Sequence, residues 1–515
     1  MKRRFIALLL VLLMSALTGC GSWDTSELED PLRDLIDYYE TGEKEEPPVL
    51  TAFTLPYFSN QTLDPITCPD GAQLTLGTLL YEGLFALDEH YAVQHVLARS
   101  YTYDADTFTY TIKIRSDIRF SDGSRLSAYD VADTLQRARS SERYKARLDI
   151  VNSLYAEDAD TVIVSLSQDN RCFTARLDIP IVKSGTESEL IPTGTGPYCW
   201  QTDDGTYLGV NSHWRQADLL PLARIELLDC RNTDTMVYSF YAHEVQLLEL
   251  DLTGTNVTSV SGRGNYTDAA STVMQYIGFN TTREPFSSAA LRQAIHRGID
   301  RTGLIDAYLL GHADAAQFPL SPRSDLYPTD IETSYSPDYF ASSMTTAGYN
   351  KGQSRTVTMI VNGENTYKVS MAREIAESLS RYDLQVNLSV LPWEQYLYAL
   401  QSGNFDLYYG EVKLTADWDI SSLVLPGGRL NYGGYSNDNT TKLLSAYLTA
   451  ADDGKRAEAM DALCRHLAAQ VPFLPVCFKN ISVLLPSGAV EAITPTAANP
   501  FYNMTAWKVN LSKKK

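Results

Sequence analysis

His243-Glu244 begins like the helix of a zinc protease, which needs two imidazoles one turn apart on the same face. The position four after His243 is Leu247, so the second ligand is missing. Thr193-Gly194-Thr195-Gly196 has the glycine density of a phosphate cradle. Pro197 removes a backbone N–H that a cradle would use, and no Lys or Arg follows at once. There is no GxSxG elbow, no P-loop and no Rossmann glycine fingerprint. The 7 histidines are spread thinly and read as surface or internally satisfied residues. With 63 acidic residues, carboxylate pairs arise by chance and carry no message. After Cys20 come Cys68, Cys172, Cys199, Cys230, Cys464 and Cys477, none in a CxxC pair and none at zinc-ribbon spacing. An even count permits disulfides outside the cell, and scattered buried thiols fit equally well. No catalytic residue, metal ligand or cofactor is expected, and a secreted acidic hydrolase is only a distant alternative.

Periodicity locates the elements that would carry a binding site. Phe108 to Ile114 alternates with period two, which puts Phe108, Tyr110, Ile112 and Ile114 on one face of a strand. Ser121-Asp122-Gly123-Ser124 is a turn, and Ser127 with Asp130 three residues later opens a helix. Met371, Ile375, Leu379 and Tyr382 form a helical stripe that leads into a strand over Leu384 to Val390. Beyond Pro392 a helix is predicted from Trp393 to Leu400, then a strand over Phe405 to Tyr409. Helix, strand, helix, strand is the order of parallel α/β layers.

The 515 residues are 44% hydrophobic and 21% charged, ordinary globular usage with room for roughly two to four domains. Lys+Arg number 43 against the 63 acids, for a formal charge of -20. That balance argues against nucleic acid, which needs a clustered positive surface, and against docking on anionic headgroups. The first residues depart from it. Lys2, Arg3 and Arg4 precede the apolar run Phe5 to Met14, and Leu17-Thr18-Gly19-Cys20 is similar to the bacterial lipobox. The run is short of the about 20 residues that a membrane span needs. Residues 1–19 therefore read as a lipoprotein signal peptide, with Cys20 as the lipidated new amino terminus. Several acyl chains on Cys20 would give stable anchoring where one would not. Residues 20–48 follow as an acidic tether, from Asp24 to Glu46 richer in acids than in bases, which repels both itself and an anionic membrane.

Several segments, in order, resemble the peptide/nickel family (family five) of extracellular solute-binding proteins of ABC importers, in its oligopeptide- and dipeptide-binding lipoprotein form. They are Thr62-Leu63-Asp64-Pro65, Leu80 to Leu84, Leu97 to Tyr101, Phe108 to Arg115, Phe120 to Gly123 and Ala128 to Val131. Gly194-Thr195-Gly196-Pro197-Tyr198 is similar to the family's GTGPY. Phe279-Asn280, Pro285-Phe286, Leu291 to Ala294, Ile299-Asp300-Arg301 and Val471 to Val476 continue the series.

The resemblance implies an α/β, two-lobed Venus-flytrap fold with an extra subdomain in the first lobe. Lobe 1 would span 49–278, with the extra subdomain at about 75–190. Lobe 2 would span 279–480, and 481–515 would return to lobe 1. It implies a monomer on the extracellular face of the bacterial cytoplasmic membrane. There it would capture a solute, oligopeptides first, and hand it to the permease subunits of an ABC importer. Nickel or a metal chelate, another non-peptide solute, or a surface sensor or adhesin on the same fold are the alternatives. Peptide binders of the family hold the ligand's α-ammonium on an Asp in a W-x-A-D-Y stretch, and Ala416-Asp417-Trp418-Asp419 is the nearest match. Asp417 is thus the implied ammonium clamp. Asp419, or a plain surface role for both acids, is the alternative, because Leu414, Thr415 and Ser421-Ser422 depart from the pattern. Trp418, Trp393 and Tyr409 are implied cleft residues, with core packing the equal alternative for Trp393; Tyr408, Tyr432 and Tyr435 lie nearby in sequence, as tyrosines do throughout this Tyr-rich chain. On this reading Asp417→Ala abolishes ligand-induced melting shifts and leaves the ligand-free melting temperature nearly unchanged.

Overall fold

The computed structural model describes residues 50–69, 71–255, 264–349, 352 and 354–512. The expected signal peptide, Cys20 and the expected tether lie outside the described residues. No helix among the described residues is long and apolar enough to cross a membrane.

Three sheets organise the molecule. The first joins β1 (Thr54–Tyr57) to strands from much later in the chain. Two extended segments come between: β2 (Ala98–Asp104) and β3 (Thr109–Ile114), then α1 (Ala128–Ser140), β4 (Val151–Asp158) and β5 (Thr161–Leu166). These four strands form their own antiparallel sheet in the order β2-β3-β5-β4. Tyr110, Ile112 and Ile114 alternate inward as expected. Phe108 does not join them in the strand: its backbone is left-handed (φ 52°) at the head of β3. The Asp130 carboxylate accepts from the Ser127 N–H (2.9 Å) and hydroxyl (2.6 Å), which fixes the start of α1. The inserted sheet and α1 share one apolar core, built from Tyr110, Val131, Leu135, Val162 and Phe173 among others.

The chain then returns to the first sheet with β6 (Tyr198–Gln201), β7 (Tyr207–Val210) and β8 (Arg224–Asp229), in the order β1-β8-β7-β6. The third sheet has seven strands: β9 (Leu248–Leu250), β10 (Gly264–Phe279), β11 (Ala313–Ala315), β12 (Arg355–Asn362), β13 (Leu384–Leu391), β14 (Leu407–Lys413) and β15 (Phe473–Pro486). β12 pairs parallel with both β13 and β14, so the helix-strand alternation does build a parallel layer. Its helices are α2 (Thr366–Ser380), whose Met371, Ile375 and Leu379 are buried, and α3 (Trp393–Gln401). Tyr382 lies past the end of α2 and packs its ring on Phe340 at 4.5 Å.

β10 and β15 are antiparallel partners long enough to serve two cores at once. At one end Val483 and Leu485 pack with Phe53, Leu55 and Trp507. At the other, Ile277, Phe279, Leu474 and Val476 pack with Val357, Met371 and Leu407. The two strands therefore connect the two cores. Their register shifts between Ala270 and Met274, where Ser271 donates its hydroxyl to the Lys479 carbonyl (2.7 Å). A bulge bends a strand without ending the ladder, which is what a crossing between two bodies requires.

β9 carries an unusual side chain for its setting. Glu249 reaches among Leu55, Leu76, Met236 and Leu247, and its Oε2 accepts from the Thr75 hydroxyl at 2.6 Å. Burial pushes its pKa up to about 7, against the pull of that hydrogen bond. A raised folded-state value stabilises the protein fully below the unfolded value, and the stabilisation is lost as pH rises to about 7. The ligand-free protein is expected to lose up to about 3 kcal/mol across that window from this group. Urea midpoints measured against pH should show a flatter profile for Glu249→Gln; an unchanged slope would place the titration elsewhere.

Candidate ligand-binding site

Ala416 to Asp419 turn sharply just beyond β14. The Trp418 N–H donates to the Thr415 carbonyl (3.0 Å), and Trp418 itself is left-handed at φ 53°, a strained conformation for a bulky side chain. Packing holds it there: the buried indole meets Tyr91 edge-on at 4.9 Å and Phe478 at 6.0 Å. With Trp418 anchored, Asp417 and Asp419 both face the short 3-10 helix Phe173–Arg176 of the inserted subdomain.

There Arg176 meets both acids. Its Nε donates to Asp417 Oδ2 at 2.6 Å and one terminal nitrogen donates to Asp419 Oδ2 at 2.9 Å. Asn170 Nδ2 donates to the same Asp417 Oδ2 at 2.8 Å, while its Oδ1 accepts from the Cys172 N–H. Asp419 Oδ1 accepts from the Ser421 N–H at 2.9 Å, and the Tyr447 hydroxyl donates to the Asp417 carbonyl at 2.9 Å. Burial opposes the Arg176 charge, but the carboxylates of Asp417 and Asp419 outweigh it and hold the guanidinium above its ordinary range. Arg147 lies behind, paired with Asp178. Burial lowers its pKa to about 10, and nearby Arg176 pushes the same way. Arg171 N–H donates to the Leu448 carbonyl, and Cys172 packs among Trp418 and Tyr447, so the segment around Arg176 has a continuous contact with the Asp417 turn and its neighbours.

Asp417 is 1% exposed, and its Oδ1 is buried with no hydrogen-bond partner. The structure thus brings Asp417, Trp418 and Asp419 into one turn but does not gather the other two expected residues there. Trp393 is the first residue of α3, at the carboxyl end of β13, 49% exposed with its ring 6.1 Å from Tyr396. Tyr409 is buried in the core around Ile277 and Met371, where its hydroxyl donates to Gln275 Oε1 at 2.8 Å. Tyr408 packs against Tyr276 and Tyr432, and the Tyr435 hydroxyl pairs with Thr440, so these tyrosines serve the core. Arg176 and Asn170 were not expected from sequence. The available sign was Arg176 within the mostly apolar stretch Phe173 to Leu177, since a buried guanidinium requires carboxylates.

Asp268, His312 and Ser482 meet beside the crossing strands with the residue types of a hydrolase triad. His312 Nδ1 faces both Asp268 Oδ2 (3.0 Å) and Ser482 Oγ (3.3 Å), and the serine hydroxyl donates to Asp268 Oδ1 (2.6 Å). A relay needs the two partners on opposite ring nitrogens, so the cluster is a structural cross-link. Cys172, Cys199, Cys230, Cys464 and Cys477 are separate thiols; burial pushes Cys172 and Cys477 up to about 12, which leaves them unreactive. Among the described residues no group of three or more His, Cys, Asp or Glu side chains is placed to hold a metal ion.

Known proteins share this architecture. The chain is 26% identical over 449 residues to the glutathione-binding protein GsiB of Escherichia coli (strain K12), covering 82% of this chain and 87% of that protein. The unliganded open form of the periplasmic murein tripeptide binding protein MppA superposes with a TM-score of 0.74 at 16% identity, over 90% of this chain and 99% of MppA. A nickel ABC transporter structure from Bacillus halodurans gives 0.73 at 17% identity, over 88% and 98% of the two chains. The fold is thus the two-lobed α/β fold of periplasmic binding proteins. The model of the bacterial extracellular solute-binding proteins, family 5 Middle, matches residues 92–424, and the chain belongs to that family, whose members bind solutes and are not enzymes.

Proposed function

We propose that this protein is the solute-capturing subunit of an ABC importer, lipid-anchored through Cys20 on the extracellular face of a bacterial cytoplasmic membrane, and that its solute is a peptide or peptide-like molecule. The observation that carries the reading is the turn at Asp417, where a buried carboxylate oxygen without a partner lies at the contact between the two lobes. A solute that touches both lobes favours their closed arrangement, and a closed shape is what a permease can recognise. Relatives named for glutathione and for a murein tripeptide support the peptide class. Asp417, Trp418 and Asp419 form the ligand-facing turn in this reading. Trp393, at the carboxyl end of a parallel strand where α/β sheets present their ligands, offers a flat ring at its rim.

A single comparison tests both parts. Wild-type protein is expected in the membrane fraction of its own cells, and Cys20→Ala in the soluble fraction. Native mass spectrometry of both is expected to find the same mixture of bound peptides. A Cys20→Ala protein that stays with membranes would remove the lipid anchor, and a bound metal chelate in place of peptides would replace the solute class.

A further inference from the structure

Of the four carboxylate oxygens on Asp417 and Asp419, three are engaged. Asp417 Oδ2 takes Asn170 and Arg176, and Asp419 takes Arg176 on Oδ2 and the Ser421 N–H on Oδ1. Arg176, 3% exposed, therefore already supplies a positive charge to both acids. What the turn still lacks is one hydrogen bond, to the buried Asp417 Oδ1. An ammonium brings a full charge and three N–H donors, each of which must find an acceptor once water is excluded. A secondary amide brings one N–H and no charge. One free acceptor on a carboxylate that is already paired matches the second and not the first.

Resting on the reading that the Asp417 turn faces the solute, we propose that Arg176 is a specificity residue: it fills the cation position at Asp417 and Asp419 from within the chain, so the solute meets Asp417 Oδ1 with a single amide N–H and is not selected for a free α-amine. Arg176 belongs to the subdomain and Asp417 to the second lobe, so the solute enters when this contact parts and is enclosed when it re-forms. Without Arg176 the two acids lose the cation bonded to both of them, Arg147 behind it being paired with Asp178, and the preference turns toward cations.

The test sets full-length wild-type protein and Arg176→Gln against equimolar pools of matched tetrapeptides, N-acetylated or with free amines, with bound fractions read by native mass spectrometry. Wild type is expected to hold acetylated peptides at least as well as free-amine ones, and Arg176→Gln to prefer free amines by tenfold or more. A tenfold preference of wild type for free amines, or the same ratio in both proteins, overturns the proposal. If neither pool binds either protein, the amide preference falls together with the peptide reading. The role of Arg176 as counter-cation is then decided by urea midpoints of Arg176→Gln, Asp417→Asn and the double variant without ligand. A double variant no less stable than the weaker single supports the pairing, and additive losses refute it.

Discussion

Asp417→Ala is expected to destabilise the ligand-free protein by up to about 3–5 kcal/mol, the upper bound being the cost of leaving a buried charge without its partner. The substitution strands Arg176, which is 3% exposed, and removes the acceptor of the Asn170 amide. Asp419 recovers part of the loss because it shares the guanidinium, and Asp149 touches it weakly at 3.4 Å. Asp417→Asn keeps the shape of the side chain and an oxygen for Asn170, so its loss should be smaller than that of Asp417→Ala. Urea midpoints without ligand read both. This reverses the expectation from sequence that the ligand-free melting temperature would be nearly unchanged, for a plain reason: a clamp facing open solvent is dispensable to the fold, whereas a carboxylate sealed by an arginine is part of it. Equal midpoints for wild type and Asp417→Ala would show that the Arg176 pair contributes nothing in solution.

The parts of the fold that were legible in sequence are those fixed by local pattern. The stripe Met371-Ile375-Leu379 became a buried helix face, and Leu384 to Leu391 became a strand paired parallel to β12, because both are set by side-chain period alone. Phe108 broke its pattern because a left-handed residue at the head of a strand leaves no trace in hydrophobic alternation. Of the candidate site, motif similarity pointed to the turn at Asp417, but the partners Asn170 and Arg176 lie some 240 positions earlier in the chain, with no motif around them. The burial of Tyr409 was not legible for a related reason. Its aromatic ring and hydroxyl suit a cleft as well as a core, and only the position of Gln275, on a strand far away in sequence, decides for the core.

The glycine-rich segment that resembled a phosphate cradle leads to the second large effect. Gly196→Ala is expected to cost more than about 3 kcal/mol or to prevent folding, beyond the usual range for overpacking. A β-carbon on Gly196 would stand 2.5 Å from both the Leu79 carbonyl oxygen and the Leu80 carbonyl carbon. These are backbone atoms at the end of the helix Ala72–Leu80, and unlike the tip of a side chain they cannot swing aside. The contact is also fastened on both sides: the Gly196 N–H donates to Leu80 O (2.9 Å), and Asn211 Nδ2 donates to Gly196 O (2.8 Å). Neither Gly194 nor Gly196 is left-handed, so it is closeness and not backbone freedom that requires glycine. Thr195 between them provides the contrast, since its hydroxyl is buried without a partner. Thr195→Val has nearly the same shape and removes an unsatisfied polar atom, so it should be neutral or slightly stabilising. Soluble yield and urea midpoints of the two variants separate the cases: loss in Gly196→Ala alone identifies the segment as a packing joint, whereas comparable loss in both would mean that the Thr195 hydroxyl is bonded in solution.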